Sequence, residues 1–565
     1  MKRNLLLLMC FVFVGSILLT ACSKSNNSAS PGASSSAASS APSSASSEPS
    51  GEATPDPSAK YDPPITVTTV RAITADMKLP EGQTYEDNVW TRTLRDEYGI
   101  DTKVLWAVDS GQYDSKLNMS IASGELPDLM KVSPAQFKQL LESDSLADLT
   151  EVYEKYASEE MKKQHAIGDG IALKSGMVGD KLYALPDAAS AIGGAPSTLI
   201  WIRTDWLKKL GLQEPKSLED VFAIARAFTK NDPDGNHKAD TTGIVFEKDF
   251  LGSALGNRGL FNSFDAFPKS WIADKTGNLV YGSIQPEVKT ALQALQNLYK
   301  EGLIDKEFIV KDAGKVIETL VANKAGIAIG PHYFGQFIHQ TKVKHPEVEW
   351  KPFPLMRLDG SQAKVSLNSP TLGQYVVRKG YSHPEVIVKM MNMAFDITVG
   401  DRATKENYDK YMYDPKDGTI QIWKFAPVFS NDSTDVLFQQ IIDATDANDP
   451  SLATDATAKL VIENAKKARD GENSLYGWTL YSDAWKIYFD LMKKGLYVNN
   501  GFYGVPTPTM TDKQATLDQL ELETFSKIIM NAAPIDDFDK FVENWKKLGG
   551  DQITKEVNEW KQTMK

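Results

Sequence analysis

The sequence predicts an α/β fold, and three observations carry that prediction. Short β-branched or apolar runs alternate with amphipathic helical segments, which is the pattern of strands covered by helices. Several helical segments begin at a side-chain cap and stop at a glycine, so their ends can be read directly. The chain has 565 residues, 42% hydrophobic and 10% aromatic. That is enough apolar surface for more than one core and a length that suits two or three domains.

The chain opens with Lys2 and Arg3, then an apolar run from Leu5 to Leu19 interrupted only by Gly15 and Ser16. A basic start, a short apolar stretch and small residues at the cut are the marks of a secretory signal. The run falls short of the ~20 apolar residues a spanning helix needs. Leu19-Thr20-Ala21-Cys22 closes it and resembles the lipobox of bacterial lipoproteins, in which Cys22 would carry the lipid and become the mature N-terminus. Residues 1–21 are therefore expected to be removed. Residues 22–60 are rich in Ser, Ala, Pro and Gly, cannot bury a core, and read as a disordered tether.

Ordered structure is expected from Pro63. Ile65 to Val70 is a strand, Asn88 to Tyr98 a helix stopped by Gly99, and Thr102 to Val108 a second strand. Lys116 to Ala122 reads as helix, and Ser123-Gly-Glu-Leu-Pro-Asp-Leu-Met130 as a turn and a short strand. Gly179 to Pro186 is a turn and strand. Thr198 to Arg203 is a strand that runs into a short helix, Asp205 to Leu212. Ser217 with Asp220 approaches a capping box before the apolar face Val221, Ile224, Ala225 and Phe228. Val288, Leu292, Leu295 and Leu298 recur at helical spacing between Pro286 and Glu301. Ala325 to Gly330 and Gln374 to Arg378 are strands, His383-Pro-Glu precedes a helix to Phe395, and the last third is largely helical, ending in the segments Leu517 to Met530 and Phe538 to Met564.

Charge and cysteines narrow the class. The net charge of −12 argues against nucleic acid and against a broad grip on an anionic surface. Of the two cysteines, Cys10 lies in the segment to be removed and Cys22 is the lipid candidate, so no disulfide is expected in the mature fold.

The sharpest chemical motif runs from Asn231 to Gly243. Asp232, Asp234, Asn236 and Asp240 fall at positions one, three, five and nine of an EF-hand-like calcium loop, with the Lys238 carbonyl at position seven. His237 stands where the glycine of position six is usual, and Gly243 stands where the bidentate glutamate belongs, leaving Thr241 or water as a further ligand. The expectation is a structural calcium ion; the same composition also suits a solvated turn without metal.

The order of segments across the mature chain resembles the extracellular solute-binding lipoproteins of carbohydrate ABC importers, the family 1 type in its large Gram-positive branch. The supporting segments are Ser123 to Asp128, Ile200 to Leu207 with Leu210-Gly-Leu212, Leu298 to Asp305, Gly326 to Gly330, Phe502 to Thr509 and Leu548-Gly-Gly550. The resemblance implies a periplasmic-binding-protein-like fold: two discontinuous α/β lobes joined by crossing strands at a hinge, closing around a ligand. Residues 61–185 and 362–420 would form the N-terminal lobe, and 195–350 and 421–565 the C-terminal lobe. It also implies an oligosaccharide ligand, delivery to ABC permease subunits, a position outside the cytoplasmic membrane held by the lipid anchor alone, and a monomer. Some sugar- and alginate-binding members carry a calcium loop in the same place.

A sugar cleft needs flat aromatic faces beside planar polar groups. Candidates chosen from loops at strand ends are Trp106, Asp109, Lys131, Ser133, Gln136, Asp187, Phe264, Trp271, Tyr333, Phe334, Trp478 and Tyr503. Trp201 and Arg203, inside a strand, are expected to be structural. Two other readings stay open. One keeps the fold and changes the ligand to a peptide or other small solute, or makes the protein a sensor subunit. The other is a secreted glycan-active enzyme, for which no nucleophile elbow, zinc motif or phosphate loop is present; the expectation is a protein that is not an enzyme.

Overall fold

The computed structural model describes residues 56–564, apart from 75–76, 189–197, 253–254, 256, 368–370, 413–420, 431–434 and 454–455. Cys22, the signal segment and nearly all of the expected tether lie outside the described residues.

Two sheet regions organise the described residues, the first made of a two-stranded and a three-stranded sheet and the second of one four-stranded sheet. In the first region, β1 (Ile65–Ile73) pairs in parallel with β2 (Ile100–Asp109). Beside them β3 (Leu129–Val132) and β4 (Leu185–Ala188) flank a later strand, β9 (Thr371–Val377), antiparallel to both. The second sheet contains β5 (Leu199–Arg203), β6 (Thr242–Ile244), β7 (Ala325–Gly330) and β8 (Trp350–Phe353), in the order β8-β5-β7-β6. The chain thus leaves the first sheet after β4, builds the second, and returns to supply β9. A discontinuous lobe follows directly from that path.

Local chemistry explains why these segments stop where they do. Asn88 caps the helix Val89–Tyr98: its side chain accepts from the backbone of Trp90 and Thr91, while Thr91 Oγ accepts from Asn88 N. Gly99 then ends it at φ +67°, and a Cβ there would stand 2.4 Å from the Tyr61 carbonyl oxygen, so only glycine fits. Ser217 caps the helix Leu218–Lys230 through Asp220 N, while the Asp220 carboxylate reaches back to Lys216 N. The expected helix end from Phe538 to Met564 is broken at Lys546–Gly550, where Gly549 takes φ +134° and separates Asp537–Trp545 from Asp551–Thr563. The helix Val386–Thr398 has no side-chain cap and is buried on nearly every face, a central element of the first core rather than a surface one.

Asp128 holds the first sheet region together. It is 6% exposed. Its carboxylate accepts from Thr68 N at 2.9 Å, Thr68 Oγ at 2.6 Å and Arg378 Nε at 2.8 Å, so β1, the entry to β3 and the exit of β9 converge on one group. In the second sheet, Arg203 is 1% exposed and forks onto Asp205 at 2.8 and 2.6 Å, with its guanidinium 4.4 Å from the Trp206 ring. Trp201 donates to the Gly330 carbonyl. Both residues act inside the β5 core, where the strand pattern put them.

The two sheets have separate cores. Leu199 to Ile202, Phe228, Leu292, Ile327, Phe525 and Trp545 belong to the second. Val67, Trp90, Ile100, Leu129, Val377 and Phe395 belong to the first. Helices Asp435–Ala447, Ala456–Arg469 and Tyr476–Lys493 bury a further cluster around Trp485 and Tyr488. The expected boundary at 420/421 does not fall at a core boundary: Ile422, Ala426, Val428 and Phe429 pack into the first core.

A buried histidine, His165, and a half-buried one, His332, give the fold a pH signature. His165 stacks on Tyr153 and lies edge-on to Phe395, and burial pulls it down to about 4. His332 sits 4.1 Å from the Trp485 ring, among Tyr333, Tyr481 and Tyr488, and burial pulls it to about 3. The unfolded chain takes up these protons near pH ~6.5, the folded chain only far lower, so stability is complete above that value and falls as pH drops toward 4. The thermal midpoint should therefore fall between about pH 7.5 and about pH 5, and fall less in the His165→Phe, His332→Phe double variant; equal losses in both proteins would rule out the histidines as the cause. Asp128→Asn should lower unfolding free energy by about 1.5–3 kcal/mol, read from the urea midpoint, because it removes the charge from a buried acceptor that serves half-buried donors.

Candidate functional site

A cavity of about 420 Å³ opens between β1, the start of the helix Ser110–Ser123, the end of β3, Asp187, Tyr375 and the segment 423–429. Every one of these pieces packs with the first sheet region. Four aromatic side chains line it: Tyr113, Tyr375, Trp423 and Phe429. Ser110, Asp114, Lys131, Ser133 and Asp187 supply polar groups between them. Flat apolar faces thus alternate with hydrogen-bonding groups, the composition that a ring bearing hydroxyls requires.

Asp187 and Lys131 form the polar floor. β4 and β3 lie on either side of β9, which places Asp187 and Lys131 across the Gly373–Tyr375 backbone. Lys131 Nζ donates to the Asp187 carboxylate and also lies 5.8 Å from the Tyr375 ring centroid. Burial pushes the Asp187 carboxyl upward and the Lys131 ammonium opposes it. A side chain on Gly373 would meet Lys131 at 2.6 Å, so glycine there leaves room for the pair. Tyr113 hydroxyl donates to the Lys131 carbonyl at 2.9 Å, and burial raises the pKa of both Tyr113 and Tyr375.

Arg71 builds the opposite wall. Its side chain leaves β1 and donates to three successive carbonyl oxygens: Lys424 at 3.3 Å, Phe425, and Ala426 at 2.9 Å. Burial pulls the guanidinium down to about 10, so it stays charged at neutral pH. Phe429 N donates to the Tyr375 hydroxyl at 3.3 Å. Two side chains from the first sheet region therefore hold the segment that presents Trp423 and Phe429.

Of the twelve ligand candidates read from the sequence, Lys131, Ser133 and Asp187 line this cavity. Ser133 also caps the helix Pro134–Glu142, paired with Gln136. Gln136 is 3% exposed and spends its amide on Asp114 O and Asn118 Oδ1, which ties two helices together. Trp106 stands beside the cavity, 5.5 Å from Tyr113, and Asp109 caps the helix that begins at Ser110. The others lie in the later part of the chain. Trp271 begins a strand and is 5% exposed, where a loop was expected, and Phe264 packs on the second core. Phe334 is buried against Trp201, while Tyr333 stays half-buried beside it. Trp478 is in the first turn of the helix Tyr476–Lys493 rather than in a loop. Tyr503 meets Trp560 edge-on. None of these six lines the cavity.

Arg71, Tyr113, Tyr375, Trp423 and Phe429 were missed. Arg71 carried one usable signal, a charge inside the strand run Val70-Arg71-Ala72. Trp423 and Phe429 carried none, because their place depends on a contact with a strand more than three hundred residues earlier.

The calcium candidates lie elsewhere, after the helix Leu218–Lys230. Their polar groups are engaged by donors of the chain itself. Asp232 accepts from Asn236 N and His237 N, Asn236 turns its amide N–H toward Asp234 and Asp240, and Thr241 hydroxyl donates to Phe228 O. Lys238 N, next to the expected carbonyl ligand, donates to Asn236 Oδ1. Gly243 cannot be the missing glutamate, since a Cβ there would stand 2.6 Å from Ala225 O. Among the described residues, no three acidic, histidine or cysteine side chains are arranged to hold a metal. In this arrangement the loop's acids are paired with donors of the protein.

Comparison with known proteins gives this geometry a family. Lipoprotein LipO of Bacillus subtilis (strain 168) is 26% identical over 487 residues, covering 84% of this chain and 89% of LipO. An "HMO binding ABC-transporter associated Solute Binding Protein" from Bifidobacterium longum infantis superposes with a TM-score of 0.64 at 16% identity, over 89% of this chain and 99% of that one. An EF-hand mutant of the S. pneumoniae ABC-transporter substrate-binding protein FusA, in complex with fructo-nystose, superposes with a TM-score of 0.60 at 17% identity, over 88% and 98%. At these identities the structures speak for the fold alone. Residues 78–396, more than half of the chain, match the bacterial extracellular solute-binding protein family, and the chain belongs to it.

Proposed function

We propose that this protein captures an oligosaccharide outside the cell and delivers it to the permease subunits of an ABC transporter, working as a monomer anchored through a lipid on Cys22. The observation that carries the reading is the cavity, which Tyr113, Tyr375, Trp423 and Phe429 line together with the half-buried Lys131–Asp187 pair. Pyranose faces stack on the rings, and the ion pair offers both a donor and an acceptor to hydroxyls. The chain path supports lobe closure: segments that pass between two sheets can bend without disturbing either core, and ligand contact with the closed form drives the movement.

The same geometry favours binding over turnover. Glycoside hydrolysis needs one carboxylic acid to donate a proton and a second carboxylate across the bond. Asp187, the buried carboxylate of the cavity, is committed to Lys131. The reading includes no resident calcium ion. Among the described residues, no helix is long and apolar enough to cross a membrane.

The test is a thermal-shift screen of the chain from Ser23, made without its lipid, against plant and microbial oligosaccharides, with peptides and amino acids as controls. A ligand at ~100 times its dissociation constant should add ~2.7 kcal/mol, a readily measured rise in midpoint. A stable shift with one glycan class is expected; a shift with peptides alone, or one that fades as products form, would refute the reading. With that glycan in hand, Trp423→Ala should weaken binding about tenfold, ~1.4 kcal/mol, in calorimetric titration. Arg71→Met should weaken it at least as much, because the wall bearing Trp423 loses the donors to three carbonyls.

A further inference from the structure

The loop from Asp232 to Asp240 already contains a cation, and it comes from the chain. Lys324 Nζ lies 3.1 Å from Asp234 Oδ2 and 2.8 Å from Asp240 Oδ2. Its backbone is fixed there: Thr242 N donates to Lys324 O at 2.9 Å, and the next residue, Ala325, pairs with Thr242 where β7 meets β6. The lysine is therefore carried to the end of the loop by the same strand pairing that ends the loop. The Asp234 side chain is only 5% exposed, so its carboxylate requires a positive partner, and Lys324 is the one it has. Asn236 completes the arrangement by donating to both carboxylates, at 2.7 and 3.1 Å. A second ammonium, Lys209 Nζ, donates to Pro233 O at 2.8 Å and would collide with any side chain on Gly235. A divalent ion entering this loop would meet one lysine in contact with two of its carboxylates and a second on the neighbouring backbone.

We propose that the Lys324 ammonium takes the position of the divalent cation in this EF-hand-like loop, so that the loop is held without calcium. The spacing of oxygen residues is that of a metal site, while the charge that gathers them is a covalent part of the protein.

The experiment compares wild type and Lys324→Met after chelator treatment, by thermal midpoint and by calorimetric titration with calcium chloride to about 10 mM, well above the ~1 mM weak limit of extracellular calcium modules. Wild type should show the same midpoint with chelator and with calcium, and no saturable heat. Lys324→Met should melt several degrees lower in chelator and recover when calcium is added, because the vacated carboxylates now accept the ion. A saturable calcium shift in wild type would overturn the proposal, as would a Lys324→Met variant that melts like wild type in chelator or gains nothing from calcium. Should Lys324→Met fail to fold, the wild-type titration still decides.

Discussion

Charge burial at Asp128 is the constraint on which the first half of the molecule depends. A carboxylate withdrawn from water must be met by donors on every side, or the fold would expel it. Thr68 from β1 and Arg378 beyond β9 meet it, and they are more than three hundred residues apart in the chain. Satisfying one acid therefore closes the first sheet region and forces the chain to come back to it after building the second. Arg203 and Asp205 play the corresponding part in the second sheet, with Asn323 and Trp206 completing the shell around the guanidinium.

The cavity follows from that closure. β9 returns as the middle strand between β3 and β4, and only then do Lys131 and Asp187 stand within reach of each other. Once β1 is fixed, Arg71 presents a guanidinium to the carbonyls of residues 424–426 and recruits a late segment as the far wall. The cavity is thus lined by side chains whose mutual positions are set by backbone hydrogen bonds and buried charge.

The two acidic motifs of the chain illustrate how like residues reach different ends. At Asp128 the donors are a threonine and an arginine brought by sheet closure. In the loop after the Leu218–Lys230 helix, the acids sit close in sequence and repel, and a lysine delivered by β7 gathers them. Spacing alone describes a calcium loop there; the neighbour across the sheet changes its meaning.

The sequence by itself determined the class and most of the elements. Caps such as Asn88 and Ser217, the stop at Gly99 and the apolar spacing of Val288 to Leu298 are local effects, decided within a turn or two of chain, so they could be read without coordinates. Segment order across the chain was enough to reach the family. Of the cavity, Lys131, Ser133 and Asp187 were legible because they follow or belong to short strands flanking the return strand. Only the tertiary structure decided the rest. Phe334 and Trp271 are as aromatic as Trp423 and Phe429, yet the former pair packs into the second core while the latter, packed on the first, lines the cavity. Aromatic character supplies the driving force for burial but not its address; that is set by long-range charge pairing and strand order, which no local pattern encodes.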